Sequence, residues 1–312
     1  MKLNKPKYWS EKFSLLSILL FPITLIVILV IFFKKKIIYE KKFNIPVICV
    51  GNIYIGGTGK TPASILLAKE LLKSGMRPVI LRKFYKSHID EHNLIRGNFN
   101  NLILNKSRAE GIKEAEKENY NTVILDDGFQ DYKIKKDLTI VCFSQDQLIG
   151  NGFVIPSGPL RESLNSLKRA NIILINGEKD HQFEKKILKI NKKLKIFYAK
   201  YKPTNIEKFK DKKLLAVAGI GNPQNFFKLL EKNNLTIKKK LIYPDHYEFT
   251  DYEIQNIIKE AKSDNCEIVM TEKDYYKVKH YNINMDFLKV SLEIDKKEEF
   301  MERIFKLYGQ SI

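Results

Sequence analysis

The run Gly51-Asn52-Ile53-Tyr54-Ile55-Gly56-Gly57-Thr58-Gly59-Lys60-Thr61 constrains this chain more than any other. It follows an apolar, β-branched segment (45–50) and precedes a helical pattern (61–74). Strand, glycine-rich loop and helix in that order form a phosphate cradle. Main-chain N–H groups and the helix N-terminus face the anion, the lysine reaches the β and γ oxygens, and the threonine hydroxyl takes magnesium. We therefore expect Gly56, Gly57, Thr58, Gly59, Lys60 and Thr61 to bind nucleotide, with Thr61 also on the metal. The usual pattern has glycine where Tyr54 stands; the three later glycines supply the needed freedom. The bland alternative is a glycine-rich turn with no ligand.

Such a cradle needs a carboxylate for its metal. The segment NTVILDDGFQ reads as a strand ending in Asp126 and Asp127. Ligands of open α/β sheets gather at that carboxyl edge. Two adjacent acids there repel each other unless a cation lies near. Thr61, Asp126 and Asp127 are thus the expected magnesium residues. Guanine recognition would favour an Asn-Lys-x-Asp element. Thr271-Glu272-Lys273-Asp274 has glutamate in the lysine position, and Asn105-Lys106-Ser107-Arg108 lacks the acid. ATP is the expected nucleotide.

Beyond the loop, β-branched runs alternate with amphipathic stretches. Strands are predicted at 45–50, 78–81, 122–125, 138–143, 171–175, 195–198, 214–218 and 267–270, and helices at 61–74, 106–118, 223–232 and 251–262. Asn222-Pro223 reads as an N-cap followed by proline at N1, and Thr250 with Glu253 as a capping box. This alternation predicts an α/β fold: a P-loop NTPase-like, mostly parallel sheet flanked by helices. A polar stretch at 201–211 precedes a fresh strand. The expected organisation is an N-terminal anchor (1–36), a P-loop kinase core (37–200) and a smaller C-terminal α/β domain (201–312).

Residues 13–33 carry no charge. As one helix they would reach about 32 Å, close to the hydrocarbon thickness of a bilayer. Tyr8 and Trp9 stand where interfacial rings are expected. Lys34, Lys35 and Lys36 follow in place of a cleavage site, so a retained N-terminal membrane helix is expected, crossing the bilayer or lying in one leaflet. Flanking lysines lean slightly towards a cytoplasmic main domain. Cys49, Cys142 and Cys266 form no paired motif and read as free thiols in a reducing compartment. The net charge of +19 comes from 48 lysines and only seven arginines. Nucleic-acid readers lean on arginine, whereas an anionic leaflet accounts for lysine equally well. No nucleic-acid partner is expected.

The pieces VGNIYIGGTGKTP, LDDGFQ, GNGFVIPSGPLRE, AGIGNPQNFF, YPDHYEFT and MTEKD occur in this order across residues 47–274. Together they resemble the tetraacyldisaccharide 4′-kinase family, the membrane-bound P-loop kinases of lipid A assembly. The resemblance implies transfer of the ATP γ-phosphate to the 4′-hydroxyl of a tetraacyldisaccharide 1-phosphate, giving lipid IVA. It implies Mg2+ as cofactor, a lipid disaccharide as partner, no obligatory protein partner, and a catalytic domain on the cytoplasmic face of the bacterial inner membrane. It also implies residue roles. Lys60 and Thr61 match the phosphate and metal positions, and Asp126 and Asp127 the paired acids, with Gln130 following. Arg161 and Glu162 match the PLRE pair. His246 matches a histidine that works with an aspartate as a base dyad. That aspartate carries over to Asp90, beside Glu91, in Ile89-Asp90-Glu91-His92. Arg82-Lys83-Phe84-Tyr85 departs from the family's SRGY, and Asp131 stands where a histidine often follows; both departures touch the acceptor side.

The chemistry stands beside the resemblance. A sugar hydroxyl is a poor nucleophile and needs a base as the bond to phosphorus forms. Arg161 is one of few arginines in a lysine-rich chain and suits forked contact with an anion. A tethered loop would hold ATP at the depth of a lipid's sugar. The rival reading is a membrane-tethered P-loop ATPase switch acting through a protein partner, which gives His246 and Arg161 no task.

Overall fold

The computed structural model describes residues 6–11, 13–245, 247–281 and 285–309. The apolar N-terminal stretch forms two helices, α1 (Leu15–Leu19) and α2 (Phe21–Ile37), which part at Leu20. Proline sits in the first turn of α2, where its missing N–H leaves no bond unmade, so a new helix starts there. Among the described residues no helix is long and apolar enough to cross a membrane. Of the expected N-terminal membrane helix, crossing the bilayer or lying in one leaflet, the crossing form is not supported: α1 is a single turn and a half, and the last turn of α2 is lysine.

The two helices dock on a loop of the main body. The Thr24 hydroxyl, buried under α2, donates to the Val154 carbonyl (3.1 Å) and lies 2.8 Å from the Ser157 hydroxyl. Trp9 Nε1 donates to the Pro156 carbonyl at 3.1 Å, and Asn151 reaches the Ser17 hydroxyl at 3.2 Å. The opposite surface of α2 is left apolar and exposed, with Ile26, Val30 and Phe33 on one stripe.

The main sheet contains β1 (Val47–Gly51), β2 (Pro78–Lys83), β3 (Leu102–Asn105), β4 (Thr122–Asp126), β5 (Leu138–Ser144), β6 (Ile172–Asn176), β7 (Lys195–Pro203) and a late strand, β12 (Val290–Ile294). Their order is β12-β7-β6-β5-β1-β4-β2-β3, parallel throughout except for β12 against β7. Side chains alternate between its faces. Val47 and Cys49 join the layer beneath α5 (Arg108–Lys117) and α6 (His181–Ile190); Ile48 and Val50 join that beneath α3 (Lys60–Lys73) and α10 (Lys297–Phe305). With both faces covered, β1, β4 and β5 are buried along their whole length, which is why they read as unbroken apolar runs. Cys49 and Cys142 lie free in this core, and burial pushes both thiols up to about 12.

A second, all-parallel sheet has β8 (Lys213–Ala218), β9 (Thr236–Ile242), β10 (Glu267–Thr271) and β11 (Met285–Leu288) in the order β11-β10-β8-β9. It carries α7 (Pro223–Lys232), α8 (Asp251–Ser263) and α9 (Glu272–Val278). Asn222 stands at the N-cap position of α7, without a side-chain capping bond, followed by proline in the first turn, and Thr250 and Glu253 close a reciprocal box at α8, as the sequence predicts. One further helix, α4 (Ile89–Asn98), leaves the main sheet after β2 and packs on α9, joining the two lobes.

Candidate active site

The glycine-rich loop leaves β1, the strand flanked by β4 and β5 at the middle of the main sheet, and enters α3. Gly59 caps that helix with φ +88°, a left-handed conformation that a side chain would strain. Asn52 staples the loop from within: its amide nitrogen donates to the Gly56 carbonyl (3.3 Å) and the Thr58 hydroxyl (2.9 Å). The N-terminal amides of α3 and the helix dipole are thereby presented at the carboxyl edge of the sheet.

Register places Asp126, the last residue of β4, beside Val50 on one side and Arg82 on the other. Its buried carboxylate accepts from Thr61 Oγ1 and Ser64 Oγ, each at 3.1 Å, and pairs with Arg82 Nη1. Thr61 and Asp126 are therefore together, as a metal pair requires. Magnesium commonly takes one or two protein carboxylates and fills its shell with phosphate oxygens and water. A hydroxyl and a carboxylate at a helix N-terminus fit that donor set.

Asp127 turns the other way, with φ +59°. Its carboxylate meets Arg161 Nη1 at 2.8 and 3.1 Å and Lys60 Nζ at 3.8 Å. Burial alone would raise its pKa, but Lys60, Arg161 and Arg82 outweigh that and hold the carboxyl well below the usual range. Burial conversely draws the Lys60 ammonium below its ordinary pKa, against the pull of Asp127. Gln130 accepts from Arg161 (3.4 Å) and donates to the Asn52 carbonyl (2.9 Å) and Glu162 (3.3 Å). Glu162, 1% exposed, also takes Lys35 from α2 and Arg169, each at 2.6 Å. The PLRE pair thus faces two ways: Arg161 into the site, Glu162 towards the N-terminal helices.

Asp90 and Glu91 lie in the first turn of α4. Asp90 is buried, and its Oδ1 accepts from the Glu91 amide at 2.9 Å. Glu91 pairs with Arg82, the same arginine that holds Asp126, so one guanidinium links the end of β4 to the first turn of α4. His246 lies outside the described residues. Its neighbour Asp245 belongs to the second lobe and pairs with Lys273 at 3.0 Å. Sequence reasoning passed over Arg82 and Lys273 as site residues. Both stood in motifs it had singled out, but neither motif shows which acids surround them.

The second lobe reaches the loop directly. A side-chain carbon at Gly221 would stand 2.9 Å from the Gly57 nitrogen and 3.0 Å from Asp245 Oδ2. Asn222 meets Asp146 of the main lobe at 3.5 Å. The phosphate loop therefore sits in the mouth between two α/β lobes.

A P-loop on a parallel sheet, a carboxylate at the end of the adjoining strand and a second lobe over the mouth define a P-loop phosphotransferase. The chain belongs to the tetraacyldisaccharide-1-P 4′-kinase family, whose profile matches residues 15–308. It is 41% identical over 312 residues to the tetraacyldisaccharide 4′-kinase of Pelagibacter ubique, covering 98% of this chain and 99% of that protein. The Agrobacterium fabrum protein of the same name is 30% identical, over 86% of this chain and 82% of its own. The crystal structure of LpxK from Aquifex aeolicus in complex with ATP shares the fold, with a TM-score of 0.74 at 24% identity over 94% of this chain and all of that one.

Proposed function

We propose that this chain phosphorylates the 4′-hydroxyl of a tetraacyldisaccharide 1-phosphate with the γ-phosphate of ATP, giving lipid IVA. The observation that carries the phosphoryl-transfer reading is the pairing of Thr61 with Asp126 at the foot of the loop, while Lys60 and Arg161 converge on Asp127. The family and its relatives supply the acceptor.

The residues divide the work. Amides of 56–61 and Lys60 hold the β- and γ-phosphates. Thr61 and Asp126, with Asp127 near, would hold magnesium, which would offset the charge that develops on the transferred phosphate. Arg161 leaves Asp127 for the γ-phosphate, where a planar guanidinium can fork two oxygens. Asp90 takes the proton of the 4′-hydroxyl, with His246 as its partner. Gln130 and Glu162 hold Arg161 on its course.

On this reading the reaction takes place at the inner membrane with the lobes on the cytoplasmic side. The exposed apolar stripe of α2 and the lysines at its end suit one leaflet of an anionic bilayer. The acceptor's chains then stay in lipid while its sugar meets the loop.

The test is the fate of labelled γ-phosphate. Wild-type protein with Mg-ATP and tetraacyldisaccharide 1-phosphate should yield a 4′-phosphorylated lipid. Lys60→Ala and Asp90→Asn should each lower kcat at least about 100-fold. Release of inorganic phosphate with no lipid product would overturn the reading and favour the tethered switch.

A further inference from the structure

We propose that Lys273 is the positioning residue of the acceptor base: from the second lobe it holds the Asp90 carboxylate of the first, so that the base is set when the two lobes meet. This rests on the assignment of Asp90 as base made above.

Lys273 opens the first turn of α9, and its ammonium lies among carboxylates from both lobes. Nζ is 3.0 Å from Asp245 Oδ1, 3.4 Å from Glu91 Oε1 and 3.5 Å from Asp90 Oδ2. One helical turn on, Lys277 Nζ lies 3.6 Å from the same Asp90 oxygen and 2.8 Å from Asp274. The two lysine side chains are 13% and 11% exposed, and that of Asp90 is 4% exposed. Surface ion pairs of lysine are worth little. A largely buried ammonium is different: it costs several kcal/mol unless its charge is met. Three acids that converge without a cation would repel each other in turn. The cation and the acids therefore require one another, and two of the acids, Asp90 and Glu91, come from the other lobe.

The helices that carry them are built to touch. A side chain at Gly97 of α4 would put its first carbon 1.7 Å from the Tyr276 hydroxyl of α9, so glycine is what lets the two helices close. Beside it, Asn98 donates to Glu272 Oε1 at 2.7 Å. Both charged clusters sit in first turns, Asp90 and Glu91 on α4 and Lys273 on α9. The α9 end is itself pinned: Asp274 accepts from the Gly219 amide at 2.7 Å and from the Thr271 hydroxyl at 2.6 Å. Gly219 begins the loop that meets the phosphate cradle at Gly57. Lys273 is thus tied, through its neighbour Asp274, to the loop that approaches the phosphate loop at Gly57.

This arrangement orients Asp90 through its own carboxylate oxygens. Oδ1 is occupied by the Glu91 amide, and Oδ2 faces two ammonium groups, so both carboxylate oxygens are held in direction. If the lobes part, Lys273 leaves with α9 and the base loses its orientation.

The experiment compares Lys273→Met, Lys273→Arg, Asp90→Asn and the Lys273→Met/Asp90→Asn double variant in the full chain, with Mg-ATP and tetraacyldisaccharide 1-phosphate. We expect K273M to lower kcat about 10- to 100-fold with both KM values within about threefold of wild type. K273R, which keeps the charge, should recover most of that loss. In the Asp90→Asn background K273M should add less than about twofold, because its effect passes through Asp90. Multiplying effects, or a raised acceptor KM with kcat kept, would overturn the proposal by showing that the lysine meets substrate itself. A K273R as slow as K273M with an equally lowered Tm would overturn it in favour of packing. Asp90→Asn alone reads the base assignment: wild-type kcat there removes that assignment, whereas a slow Asp90→Asn with a fully active K273M removes only the positioning role.

Discussion

At the scale of single residues, the site is a balance of charges that no one residue carries alone. Asp127 shows the consequence most clearly. Its folded-state pKa is depressed below the ordinary 3.8 because Lys60, Arg161 and Arg82 outweigh its burial. As pH falls, the unfolded chain binds this proton first. The ion-pair stability is therefore whole above about pH 4 and is lost as pH drops through the folded value. Asp127→Asn should lose about 1–3 kcal/mol near neutral pH, since it leaves Lys60 and Arg161 without their anion. Below about pH 4 its melting temperature should fall less steeply than that of wild type. Thermal melts of both forms without nucleotide check this; parallel slopes would remove the assigned ion pair. The residue types at this site were legible. Lysine and threonine after glycine, and paired acids after a strand, carry their chemistry in local order. The Arg82 bridge between Asp126 and Glu91 was not, because β2 and β4 meet only in the sheet.

At the scale of elements, the loop between β5 and β6 has two jobs. Arg161 donates its amide to the Ile53 carbonyl at 2.7 Å, which stitches this loop to the phosphate loop. Its other end receives Thr24, Trp9 and Tyr8. The sequence offered the N-terminal stretch as one long apolar helix. Proline in the first turn of α2 and hydrogen bonds to residues 154–157 instead make it a docked pair with one greasy face. Each large apolar side chain moved from water into lipid is worth about 1.5–3 kcal/mol. Replacing Ile26, Val30 and Phe33 together with glutamine should lower flotation with anionic vesicles at least about tenfold. Turnover of a short-chain, water-soluble acceptor should stay within about twofold. Unchanged flotation would place the membrane contact elsewhere.

At the scale of the whole molecule, two parallel sheets face each other across the loop, and the chain crosses between them twice. It leaves after β7, builds the second lobe, and returns as β12 and α10 to the main sheet and core. That double crossing ties the second lobe to the main one at both of its ends. At the cradle, a side chain on Gly221 would crowd Gly57. Gly221→Ala should push its loop from Gly57 and lower kcat/KM for ATP about 5- to 20-fold, with Tm nearly unchanged. An equal loss of Tm would mean that the glycine serves folding alone.

By itself the sequence determined the phosphate cradle, the parallel α/β core, the caps of α7 and α8 and the paired acids. Each is written in neighbours, through periodicity, glycine and the end of a strand. Only the tertiary structure decided which charges meet. Lys273 and Glu91, 182 positions apart, share no local signal. They are joined because α4 and α9 pack where Gly97 leaves room for Tyr276. It also decided the fate of the apolar N-terminus, since an apolar run specifies burial from water, and its partners specify where.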